Sequence, residues 1–226
     1  MDLAIQAEED EFPRNTHSAQ NDLRQKHPTS KLVDPTLFPT FADLPQLVDP
    51  SGWPSSEHIP QATGSGSLAN TWYLLAQIKE NMTITKPTLI VTDRTGRDFV
   101  LLFEDNGVSL KGFRKRYTVM IPCARRTKRY NKNDELRIPA DCGAEVQVIP
   151  GTLDRILELG VLLTSSEDER KCAACGKTEG SLLNCTACQV TKYCGKECQT
   201  RSWREMDHKA SCRIIQALKK IPACVD

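Results

Sequence analysis

The chain has 226 residues, of which 39% are hydrophobic, and its 30 Lys and Arg nearly balance 29 Asp and Glu for a formal charge of +1. That balance argues against a protein built throughout to coat a polyanion, and no apolar run approaches the roughly 18 to 20 residues of a membrane-spanning helix. The opening MDLAIQAEEDEF is acidic and polar rather than basic and then apolar, so no secretory leader is read there and an intracellular location, nucleus or cytoplasm, is expected.

Residues 1–66 carry most of the prolines, charges of both signs and the start of a GSGS run, without a sustained helical or strand period. They are expected to form a disordered tail. His17, His27 and His58 fall in it and are expected to be solvated, since lone histidines make poor metal sites. Residues 67–163 read as a β-rich domain. TWYLLAQI is expected as a strand. PTLIVTDRTGRDFVLLF places two apolar runs around Asp93-Arg94-Thr95-Gly96, the composition of a hairpin turn. RYTVMI and AEVQVI supply two more strands. GTLDRILELG reads as a short helix with Thr152 as N-cap and Gly160 just past its end. About five strands with one helix suggest a small barrel, OB-like in strand order, and TSSEDERK then reads as a polar linker.

Ten cysteines in a cytoplasmic or nuclear chain point to metal ligation rather than disulfides. Seven lie between 172 and 212, and with His208 they form four pairs: Cys172-x2-Cys175, Cys185-x2-Cys188, Cys194-x3-Cys198 and His208-x3-Cys212. A C-x2-C pair suits a tight turn that aims two thiolates at one ion, and an x3 pair suits one face of a helix. Eight ligands make two closed tetrahedral zinc sites with no open position for water, which is the pattern of structural rather than catalytic zinc. The module has few large apolar side chains, so its folding is expected to depend on metal. Spacing alone leaves open whether the pairs join sequentially or interleave. Cys123, Cys142 and Cys224 have no partner spacing and read as plain thiols.

The run C-x2-C, C-x2-C, KYC-x3-CQ-x3-W and HK-x2-C over residues 172–212 closely resembles the MYND-type zinc finger, with helix expected to continue to about 221. The layout is also similar to that of fungal proteins that end in such a finger. The resemblance implies interleaved pairing: Cys172, Cys175, Cys194 and Cys198 on one zinc ion, Cys185, Cys188, His208 and Cys212 on the other. It also implies a protein-binding device. In some members a peptide with a Pro-x-Leu-x-Pro core lies beside the second C-x2-C and the first helix, and the matching positions here are Thr186, Gln199 and Trp203. The expected fold class is therefore α+β: a disordered tail, a small barrel and a two-zinc finger with short helices.

The expected function is recruitment of proline-rich partners without catalysis, in transcriptional regulation or as a scaffold. No Gly-rich nucleotide loop or Ser-His-Asp arrangement is present, and His208 is the only histidine outside the tail. Two other readings stand beside it. One is nucleic-acid binding by the barrel through the basic loop 124–132, with Arg125, Arg126, Lys128, Arg129 and Lys132. The other is a lysine methyltransferase of the kind that carries a MYND insert, disfavoured because fewer than about 100 residues look folded outside the finger. The tail also contains PTLFP, Pro35 to Pro39, which matches the Pro-x-Leu-x-Pro core and could occupy the groove in cis or link molecules in trans.

Overall fold

A computed structural model describes residues 30–47, 72–127, 135–164 and 171–221. His17, His27, His58, the Gly-Ser run, Lys128, Arg129, Lys132, most of the linker and Cys224 lie outside the described residues. Eight strands form one sheet: β1 (Gln46–Leu47), β2 (Tyr73–Asn81), β3 (Thr88–Asp93), β4 (Asp98–Phe103), β5 (Thr118–Pro122), β6 (Arg126–Thr127), β7 (Glu135–Ile138) and β8 (Gln147–Ile149). Their order is β1-β6-β7-β4-β3-β2-β5-β8. Ladders β4–β7 and β1–β6 are parallel, and the others are antiparallel. The hairpin read around Asp93 to Gly96 is present, with Thr92 opposite Asp98 and Gly96 at φ +83°, where a glycine is the natural choice.

The expected OB-like barrel is not found among the described residues. β1 and β8 stand at opposite ends of the order and do not pair with each other. The reason lies in two neighbouring strands, β2 and β5, which are apolar on both faces. Leu74, Ala76 and Ile78 of β2 with Val119 and Ile121 of β5 face one core, joined by Leu89, Val91, Phe99, Leu101, Phe103, Leu136 and Ile138. Tyr73 and Leu75 of β2, Met120 of β5 and Ile149 of β8 face the other way, into a second core. A small barrel has one apolar interior and a wet exterior; strands buried on both faces need a cover on each side.

Part of that cover comes from the stretch expected to be disordered. Within residues 30–47, Leu32, Phe38, Phe41 and Leu44 are all buried. Phe38 enters the second core, and Phe41 stacks on Phe99 in the first with ring centroids 4.2 Å apart. Backbone bonds fasten the segment: Tyr73 N donates to Leu37 O (2.7 Å), Phe41 N to the Asp93 carboxylate (2.9 Å) and Arg126 Nε to Leu44 O (3.0 Å). The Arg94 guanidinium donates to Phe38 O. These apolar positions follow neither a two-residue nor a 3.6-residue period, so no periodic template finds them. Within Pro35–Pro39, Phe38 and Pro39 are buried and Leu37 packs against the second core while Pro35 and Thr36 are exposed, so the motif is anchored to the sheet rather than a free ligand for the groove.

Helix α1 (Leu153–Thr164) lies over the second core through Leu153, Ile156 and Leu159. Thr152 Oγ1 accepts from Arg155 N (3.4 Å), as expected of a cap. Gly160 is inside the helix, not past its end. A Cβ there would stand 2.4 Å from Ser30 Oγ and 2.5 Å from Leu32 Cδ1. Its small size is what lets the 30–33 turn lie against the helix.

Candidate metal centre

After the linker come the short ribbon β9 (Leu183–Asn184) and β10 (Lys192–Tyr193), then helices α2 (Lys196–Glu205) and α3 (His208–Leu218). Each C-x2-C pair forms a turn closed by a backbone bond: Gly176 N donates to Cys172 O and Gln189 N to Cys185 O, both at 2.8 Å. In each turn the residue after the second cysteine is left-handed, Gly176 at φ +75° and Gln189 at φ +61°. Gln189 adopts this conformation at a cost of about 1 kcal/mol, and Lys219 Nζ braces it with bonds to Gln189 Oε1 and Cys188 O, both 3.2 Å.

Of the two x3 pairs, one is helical. His208 and Cys212 both lie in α3. Cys194 sits ahead of α2, separated from it by the extended Gly195, and only Cys198 is on the helix. The four pairs interleave. The ligand atoms of Cys172, Cys175, Cys194 and Cys198 all lie within 4.8 Å of one another, and so do those of Cys185, Cys188, His208 and Cys212. Sulfur separations of 3.4 Å (Cys194–Cys198), 3.6 Å (Cys175–Cys194) and 4.0 Å (Cys185–Cys212) bracket the roughly 3.8 Å edge of a zinc–thiolate tetrahedron.

Two further observations fit a metal. Nε2 of His208 is buried and has no hydrogen-bond partner among the described residues, the state of a ring nitrogen whose lone pair serves an ion. The thiols also pull apart in acidity. Burial raises Cys172, but amides of Cys194, Cys175 and Ala174 and the Cys175 thiol outweigh it and bring it down to about 6. Cys198 in the same cluster is pushed up to about 12, mainly by Cys194, and Cys212 to about 11, mainly by burial. Four sulfurs this close cannot all ionise unless a cation sits among them. Zn²⁺ held there would act as a structural cross-link.

Around the ligands, Tyr193 Oη donates to Ser202 Oγ (3.1 Å), and both are buried. Arg201 Nη2 donates to Ala174 O (2.6 Å), which ties α2 to the first turn. The finger's own apolar residues do not form a separate core. Ile214, Ile215 and Leu218 of α3 join Ile156 and Leu159 of α1 and Ile149 of β8. Gly151 permits this approach, since a Cβ there would meet Ile214 Cδ1 at 2.6 Å, and Arg155 Nη2 donates to Ser211 Oγ (2.8 Å) across the two helices. None of these partners belongs to a short spacing motif, which is why sequence reading did not single them out.

Thr186, Gln199 and Trp203, expected to face one groove, do so. They line a depression of about 380 Å³ with Cys185, Ala187, Thr200 and Arg204. Trp203 is 40% exposed, while its other edge meets the His208 ring at 5.8 Å between centroids. It therefore both packs on a ligand and presents a face to solvent. In the basic loop, Arg125 stacks over Trp72 and Arg126 pairs and bonds within the fold, so these two are not free cations.

Residues 172–212 match the family model of the MYND finger. Over 56 residues the chain is 38% identical to the histone-lysine N-methyltransferase ASHR1 of Arabidopsis thaliana, covering 25% of this chain and 11% of that protein. Over 48 residues it is 35% identical to the histone-lysine N-methyltransferase SMYD3 of Homo sapiens, covering 21% and 11%. The chain thus spans only about a tenth of the length of these relatives. Ligand set, interleaved pairing and family match agree that residues 172–212 form a MYND finger, with two Cys/His clusters suited to two zinc ions.

Proposed function

We propose that this protein is a non-enzymatic adaptor, acting as a scaffold or transcriptional regulator, whose MYND finger holds an extended proline-rich peptide with a Pro-x-Leu-x-Pro core. The observation that carries the reading is the groove beside the second C-x2-C turn. There a half-exposed indole lies beside the Gln199 amide and the Thr186 hydroxyl. A proline peptide is already extended before it binds, so little ordering entropy opposes its stacking on an indole while an amide bonds its backbone. Catalysis draws no support from the methyltransferase relatives, because the similarity has only about the length of the finger. Nucleic-acid binding through loop 124–132 draws little, because Arg125 and Arg126 are used inside the fold.

A fluorescent peptide with that core should bind the zinc-loaded full chain saturably in an anisotropy titration. Gln199→Ala and Trp203→Ala should each weaken it by at least about ten-fold with zinc content unchanged. Absence of binding by the unaltered chain would overturn the reading.

A further inference from the structure

The groove has a charge as well as a shape. Of its seven lining residues, Cys185, Thr186, Ala187, Gln199, Thr200, Trp203 and Arg204, the last alone is formally charged outside the metal ligands. Arg204 is exposed and makes no ion pair or side-chain hydrogen bond among the described residues. Helical spacing sorts the charges of α2. Lys196, Thr200 and Arg204 form one i, i+4 row along the groove side, with a cation at each end. Glu197 and Glu205 belong to the neighbouring row with Arg201, whose guanidinium is turned to Ala174 O in the first zinc turn. A peptide lying on Trp203 and Gln199 therefore runs beside Arg204 with no carboxylate among the groove's lining residues to neutralise it.

Resting on the proposed peptide-binding role, we infer that Arg204 makes the groove selective for proline-rich segments flanked by acidic residues. The partner is a protein whose Pro-x-Leu-x-Pro core adjoins Asp, Glu or a phosphorylated residue, and basic flanks are rejected. The apolar and amide contacts hold the core, while the guanidinium, planar and five-fold donating, takes the flanking carboxylate in a fork.

The test uses the zinc-loaded full chain and labelled Pro-x-Leu-x-Pro peptides flanked by Asp, Ala or Lys, with each flank tried at either end. At low salt, Asp peptides in one of the two placements should bind about three- to five-fold more tightly than Lys peptides. Arg204→Gln should level them, Arg204→Glu should invert the preference, and high salt should compress the difference. Equal binding of Asp and Lys peptides to the unaltered chain in both placements would overturn the selectivity and leave the groove reading intact. Failure of every peptide to bind would overturn both. Because Arg204 is exposed and bonded to no ligand, zinc stoichiometry of its variants should equal that of the unaltered chain.

Discussion

In the first metal cluster Cys172 is buried, Cys198 half-buried and Cys175 and Cys194 exposed, whereas in the second Cys185, Cys188, His208 and Cys212 are all buried. The first sits between a surface turn and the start of α2. The second is walled by Tyr193, Trp203 and the inner face of α3, and it joins the core under α1 through three of its ligands, Cys185, Cys188 and Cys212, where the first does so with one buried ligand, Cys172, and the half-buried Cys198 at its edge. The same coordination chemistry thus serves two ends: one ion closes a loop that water can reach, and the other is a component of the protein's interior. Exposure decides how a competing ligand gets in, and core continuity decides what else falls when the ion leaves.

Metal removal is expected to give the largest effect. Excess chelator should release about one equivalent of zinc quickly from the exposed cluster, and the rest slowly, with helical circular dichroism persisting until the second phase. Likewise, Cys175→Ser should retain about one zinc and most helical signal, while His208→Ala should collapse the finger, since structural zinc contributes on the order of 10–16 kcal/mol. A single release phase that takes the helices with it would break the contrast between the sites.

A smaller effect should follow from Ile215→Ala, which empties part of the shared core without touching a ligand. It should cost about 2–4 kcal/mol in denaturant unfolding and speed release of the slow zinc alone. Acceleration of the fast phase as well would mean that the foothold of Cys172 in this core steadies the exposed cluster too. Smallest is Gly160→Ala, expected to cost about 1–3 kcal/mol because Leu32 and Ser30 must move, despite the better helix propensity of alanine. A gain in stability would show that the 30–33 turn yields easily, with zinc release unchanged in either case.

What could be read from residues alone follows the range of the interaction. The eight ligands were legible because chelation by turns and helices imposes fixed short spacings, and the shared placement of Thr186, Gln199 and Trp203 around one depression was legible through resemblance. The Asp93–Gly96 hairpin was legible because turn chemistry is local. Parallel pairing of β4 with β7 was not, since Glu135–Ile138 is four residues long and owes its place to neighbours far along the chain. Gly160 looked like a helix stop because a glycine near a helical end usually is one; its actual role is to admit Leu32, which lies 128 positions earlier. The open sheet was missed because two-faced burial of β2 and β5 becomes visible only once α1, α3 and residues 30–47 are in place.

The sharing of Ile214, Ile215 and Leu218 with α1 bears on where this chain can be cut. A fragment starting in the linker would carry the whole MYND match and both ligand sets, yet it would bare a greasy stripe to water and clump with its own kind. Moving the cut upstream of α1 only shifts the injury, because Leu153, Ile156 and Leu159 roof the sheet as well as the finger, and Tyr73, Leu75 and Met120 would then be bared instead.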